Sequence, residues 1–111
     1  MQELLELSPQ EVQSRLAKGE RLVWIDVREP EEFAITRIEG AQLLPMHSVP
    51  AEMERLERLA DDGTLVILCH HGVRSLQVAC WLRQQGLGNC VSLTGGIDRW
   101  SQEIDSSVPR Y

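Results

Sequence analysis

The chain has no apolar run near the roughly 20 residues that a bilayer-spanning helix needs. Its first residues, Met1-Gln2-Glu3, carry none of the positive charge that opens a secretory signal. These two absences make the cytoplasm the expected location and exclude a membrane partner. Basic charge is scarce as well: 11 Lys and Arg stand against 17 Asp and Glu, a formal net charge of −6. Sequence-independent nucleic-acid binding relies on a basic footprint, so no nucleic-acid partner is expected. Only three cysteines are present, Cys69, Cys80 and Cys90, and no two form a C-x-x-C pair. Neither a disulfide framework nor a zinc knuckle fits that number and spacing, and reduced thiols are expected.

What is there describes one ordinary domain over residues 1–111, with 42% hydrophobic and 25% charged residues. Strand and helix signals alternate along it. Leu4 to Leu7 reads as a short leading strand, and Ser8-Pro9-Gln10-Glu11 has the form of a capping box opening a helix that stops at Gly19. Leu22 to Val27 is a buried strand, Pro30 to Ile35 a short helix, and Leu43-Leu44 a further strand closed by Pro45. Met53, Leu56 and Leu59 recur at helical spacing in a helix predicted from Val49 to Leu59, which Asp61-Asp62-Gly63 ends. Leu65 to Leu68 is the next strand. Leu76, Ala79, Cys80 and Leu82 then mark a helix stopped by Gly86, Val91 to Leu93 a last strand, and Gly95-Gly96 the start of a helix with Ile97 and Trp100. Alternating βα units predict an α/β fold, with a mainly parallel five-stranded sheet between two helical layers and ligands bound beyond the carboxyl ends of the strands.

Cys69 lies at one such end, between the apolar run Leu65-Val66-Ile67-Leu68 and a helix. Backbone N–H groups at a helix N-terminus lack intrahelical partners and favour an anion, and a thiolate is the anion to hand. Arg74 and a protonated His70 or His71 would act in the same direction. From Cys69 to Arg74, with Gly72 permitting a strained backbone, six residues can curl their amides around the sulfur. Two enzyme classes use a cysteine in such a cradle: sulfur transfer through a persulfide, and phosphoryl transfer through a phosphocysteine.

The segment Cys69-His70-His71-Gly72-Val73-Arg74-Ser75 resembles the active-site loop of the rhodanese-like sulfurtransferases. That loop is one residue shorter than the loop of the related dual-specificity phosphatases and arsenate reductases. Two further stretches carry the resemblance. Asp26-Val27-Arg28-Glu29-Pro30-Glu31-Glu32-Phe33 with Ile38-Glu39-Gly40-Ala41 is similar to the family's first signature, with Thr36-Arg37 where glycine-histidine is usual and Glu39 where proline is. Leu93-Thr94-Gly95-Gly96-Ile97-Asp98-Arg99-Trp100 is similar to its last, L-x-G-G-x-x-x-W. The resemblance implies a three-layer α/β/α domain and a double displacement. Cys69 would take the outer sulfur of a donor such as thiosulfate, and cyanide, a thiol or a protein acceptor would remove it. It implies no metal and no organic cofactor. A cysteine phosphatase or arsenate reductase is the competing enzyme reading, and a persulfide carrier with little turnover of its own is the reading from another class.

Within the loop, His70 and His71 either donate N–H groups to an anionic donor or are exposed side chains of a loop whose backbone binds. Arg74 is expected to brace the loop against a carboxylate from the segment holding Asp26, Arg28 and Glu32, rather than to hold substrate. Ser75 reads as an N-terminal helix residue bonding a free N–H, with contact to the Cys69 sulfur as the alternative. Cys80 and Cys90 read as core thiols. Trp24, Trp81 and Trp100 read as core fillers, and Gly95-Gly96, without the lysine and spacing of a phosphate loop, as a close strand-to-helix turn.

Overall fold

The computed structural model describes residues 4–111. Met1-Gln2-Glu3, whose lack of positive charge carries the expectation about a secretory signal, lies outside them. After β1 (Glu6–Leu7), the Ser8 hydroxyl accepts the Glu11 N–H at 3.1 Å, and the Glu11 carboxylate accepts the Ser8 N–H at 3.0 Å. That reciprocal cap opens α1 (Pro9–Ala17). Next come β2 (Leu22–Asp26), α2 (Pro30–Ile35) and β3 (Gln42–Leu43). The helix predicted from Val49 starts later. Residues Met46–Glu52 form a 3-10 turn containing Pro50, and α3 runs Met53–Asp62. Proline has no N–H for an α-helical ladder, so the α-helix begins only beyond it. The remaining elements are β4 (Thr64–Leu68), α4 (Val73–Gln84), β5 (Cys90–Leu93) and α5 (Gly96–Glu103).

The five strands form one sheet in the order β1-β5-β4-β2-β3, and every neighbouring pair is parallel. The central strand, β4, shows how the sheet separates two cores. Leu65 and Ile67 point to one face, where Val49, Leu56, Val78, Ala79 and Leu82 from the 3-10 turn, α3 and α4 cover them. Val66 and Leu68 point to the other, against Val12, Ile97 and Trp100 of α1 and α5. Alternation by two continues past the strand end, so Cys69 falls on the α4 side with Leu65 and Ile67. No helix among the described residues is long and apolar enough to cross a membrane.

Cys80 is exposed, against the expectation of a core thiol. The buried stripe of α4 is Ser75, Val78, Ala79 and Leu82, and the next position after Ala79 turns about 100° away from it. Cys90 is buried, with its Sγ 3.4 Å from the Leu87 carbonyl. Trp100 is buried and meets half-buried Trp24 edge to face, ring centroids 5.1 Å apart, while Trp81 is half-buried at the rim of the α4 core.

Candidate active site

Cys69 stands one residue beyond β4, and its side chain has 1% exposure. The chain then turns through Gly72, which sits at φ +98° and has the Gly95 amide so close that a Cβ would lie 2.9 Å from it. Both the left-handed backbone and the lack of room require glycine there. This turn aims amides at the sulfur: the Gly72 N–H donates to Sγ at 3.1 Å and the Ser75 N–H at 3.3 Å.

The Ser75 hydroxyl lies 3.4 Å from Sγ and 2.8 Å from the hydroxyl of Ser92, and both serines are fully buried. This corrects the reading of Ser75 as a cap for a free N–H. Its hydroxyl belongs to the sulfur. A neutral thiol can donate to it, whereas a thiolate requires the hydroxyl to donate, and the Ser92 hydroxyl can serve either arrangement by rotating. Residue 92 stands on β5, and its polarity within Val91-Ser92-Leu93 is the one sequence sign of its role.

A second set of bonds fixes the loop from below. The Ile97 and Asp98 N–H groups at the start of α5 donate to the carbonyls of Cys69 and His70 at 2.9 and 3.1 Å. Gly96, at φ +61°, makes this possible, because a Cβ there would run into those same two carbonyls. The glycine pair is thus a close turn whose second member lets α5 grip the cysteine loop.

Arg74 turns away from the sulfur. Its Nη1 and Nη2 donate to the two oxygens of Glu32 at 2.7 and 3.0 Å, a fork-to-fork pair. Those bonds hold the Glu32 carboxyl down at a pKa of about 2 against the opposing effect of burial, with donations from the Tyr111 hydroxyl and the Glu29 N–H adding to them. Of Asp26, Arg28 and Glu32, it is Glu32 that pairs with Arg74, whereas Asp26 and Arg28 bond to each other. They form their own fully buried pair, Nη2 to Oδ2 at 2.7 Å, and Arg28 also donates to the Thr36 carbonyl at 2.6 Å and the Tyr111 hydroxyl at 3.0 Å. Burial works against the Arg28 charge, but the bonds to Asp26 and Tyr111 outweigh it and raise its pKa.

His70 is sandwiched between His71 and Tyr111, with both centroid distances 3.9 Å. Its Nε2 is buried without a hydrogen-bond partner, and burial, then the neighbouring His71, push its pKa down. His71 is largely exposed and its Nδ1 is 3.9 Å from Asp98. Val73 is exposed at the first turn of α4. An apolar hollow of about 310 Å³ lies nearby between the 3-10 turn and α4, lined by Met46, Val49, Pro50, Gln77, Val78 and Trp81 and by no residue of the loop. Among the described residues no group of three or more His, Cys, Asp or Glu side chains could hold a metal ion.

The family model for the rhodanese-like domain matches residues 8–103. The chain belongs to the rhodanese-like family. Relatives of this rhodanese-like chain include a sulfurtransferase of Allochromatium vinosum, 37% identical over 97 residues that cover 87% of this chain and 88% of that protein. The thiosulfate sulfurtransferase GlpE of Pseudomonas fluorescens is 35% identical, with 90% of this chain and 87% of that one covered. A longer relative, the probable adenylyltransferase/sulfurtransferase MoeZ of Mycobacterium tuberculosis, is 35% identical over 95% of this chain, which spans only 26% of that protein. Among solved structures, the human single-domain sulfurtransferase TSTD1 superposes with a TM-score of 0.77 at 27% identity, over 91% of this chain and 98% of that one.

Proposed function

We propose that this rhodanese-like domain is a sulfurtransferase in which Cys69 carries the transferred sulfur as a persulfide, acting as a single unit in the cytoplasm. One observation carries the reading: a buried sulfur at a strand end receives two main-chain N–H bonds, at 3.1 and 3.3 Å, inside a ring of six residues. Kinship with sulfurtransferases matched over most of their length supports the same class.

With thiosulfate as donor, the Cys69 thiolate attacks the outer sulfur. The Sγ–S bond forms as the S–S bond of thiosulfate breaks, and sulfite leaves with the electron pair. The outer sulfur of the persulfide now carries the negative charge, and fixed amides and the Ser75 hydroxyl around the pair of sulfurs stabilise that charge without reorganising. A thiophilic acceptor, cyanide, a low-molecular thiol or a protein cysteine, then attacks the outer sulfur and the Cys69 thiolate leaves. His70, His71, Gly72, Val73, Arg74 and Ser75 form the binding loop. Its backbone and the Ser75 hydroxyl face the sulfur, while Arg74 braces the loop through Glu32 and the Asp26–Arg28 pair holds the segment that carries Glu32.

Steady-state kinetics with thiosulfate and cyanide test this reading. Parallel double-reciprocal lines, with sulfite released before cyanide is consumed, are expected of a double displacement. Hydrolysis of an aryl phosphate with no sulfite released from thiosulfate would overturn it.

A further inference from the structure

Beyond residue 103, where the family match ends, the chain leaves α5 and folds back toward the cysteine loop. Three contacts tie this segment down. Val108 is buried and its carbonyl accepts the Ser101 hydroxyl, Arg110 Nε donates to Asp98 Oδ1 at 2.8 Å, and Tyr111 reaches the site. The Tyr111 ring lies nearly parallel to His70, 9° between planes and 3.9 Å between centroids. Its hydroxyl donates to Glu32 Oε2 at 2.6 Å and accepts from Arg28 Nη1 at 3.0 Å, and the Arg28 guanidinium carbon is 5.5 Å from the ring centroid.

One side chain therefore holds the loop by two routes. Through the ring it fixes His70, the neighbour of the nucleophile. Through the hydroxyl it fixes Glu32, whose two oxygens also receive Arg74 and the Glu29 N–H. We infer that Tyr111 is a positioning residue for the Cys69 loop, a clasp that keeps the sulfur enclosed and its amide ring in register; its effect on turnover rests on the sulfurtransferase reading above. Burial raises the Tyr111 pKa, so the hydroxyl keeps the proton that it donates to the Glu32 carboxylate at neutral pH.

The test compares Tyr111→Phe and Tyr111→Ala with the wild-type chain by two readouts. The first is the rate of iodoacetamide alkylation at Cys69, followed by peptide mass, with exposed Cys80 as the internal control. Because Cys69 is almost fully enclosed, loosening the loop exposes it, and Tyr111→Ala is expected to alkylate about tenfold faster at Cys69 with Cys80 unchanged. Tyr111→Phe keeps the stack and loses only the hydroxyl bonds, so it should fall between the two. The second readout is kcat against KM for sulfur transfer: a misplaced ring should lower kcat about tenfold and leave the KM for thiosulfate within about threefold. Loss of stability alone would move neither constant below the melting temperature. Cys69 alkylation and kcat within about twofold of wild type in both variants would overturn the inference. Should Tyr111→Ala not fold, Tyr111→Phe decides it by the same two measurements. The alkylation readout needs no sulfur transfer, so a wild-type chain that never loads sulfur would fault the sulfurtransferase reading alone.

Discussion

At the residue scale, Cys69 and Ser75 define what the site can do. In the proposed reaction, two amides and a hydroxyl around the sulfur would stabilise the persulfide's negative charge in a nearly dry place, where fixed donors count for more than they do in water. Ser75→Ala removes the one side-chain donor and leaves the amides. It should lower the sulfur-transfer rate about 10- to 100-fold, read as kcat with thiosulfate and cyanide, with the fold retained. Asp26 makes the opposite kind of contribution. Its carboxylate is buried against Arg28, so Asp26→Ala leaves a guanidinium without its counter-charge and should cost about 3–5 kcal/mol, measured by urea unfolding. The sequence made Cys69 legible because an apolar run, a glycine and a helix start frame it. Beyond the bare polarity of residue 92, the roles of Ser92 and Tyr111 are not legible, because each acts across many residues, 17 from Ser75 and 83 from Arg28, a separation that no local pattern records.

At the element scale, the site is a meeting of three starts: the N-termini of α2, α4 and α5 converge beyond the carboxyl ends of the strands. Helix α2 supplies Glu32 to Arg74 of α4, and α5 supplies two amides to the loop carbonyls. The Glu32 pairing gives a pH dependence with a definite sign. Its carboxyl has a folded pKa of about 2 against an ordinary 4.5, so its contribution to stability is fully present above about pH 4.5 and is lost as pH falls toward 2. Urea midpoints measured from pH 6 down to 2 should show wild type above Glu32→Gln at the upper end and the two converging at the lower. A constant gap would contradict the pairing.

Helix starts were legible where proline or a capping box marks them, as at Pro9 and Pro30. The start of α3 was not, since a 3-10 turn carries the same apolar spacing through Pro50 before the α-helix begins. Cys80 was misplaced for a related reason: one apolar-looking residue beside Ala79 cannot be assigned to the inner or outer face until the rest of the stripe is known. The departures at Thr36-Arg37 are accommodated by main chain, because the Thr36 carbonyl, not its side chain, receives Arg28, while Arg37 lies over the Phe33 ring.

At the scale of the whole molecule, the sheet order β1-β5-β4-β2-β3 puts β4 at the centre and Cys69 at its carboxyl end, with a helical layer on either side. Alternating βα signals predict a mainly parallel five-stranded sheet, and the sheet is parallel throughout; the spatial order of the strands depends on packing that the linear pattern does not contain. This architecture sets the buried Cys69 thiol at the carboxyl edge of the sheet, where the proposed sulfur transfer takes place. The most direct measurement is the intact mass of the protein after incubation with thiosulfate, for wild type and Cys69→Ser. The account predicts a gain of one sulfur atom on wild type only, removed by cyanide. An equal gain on Cys69→Ser, or none on a folded wild-type chain, would contradict it.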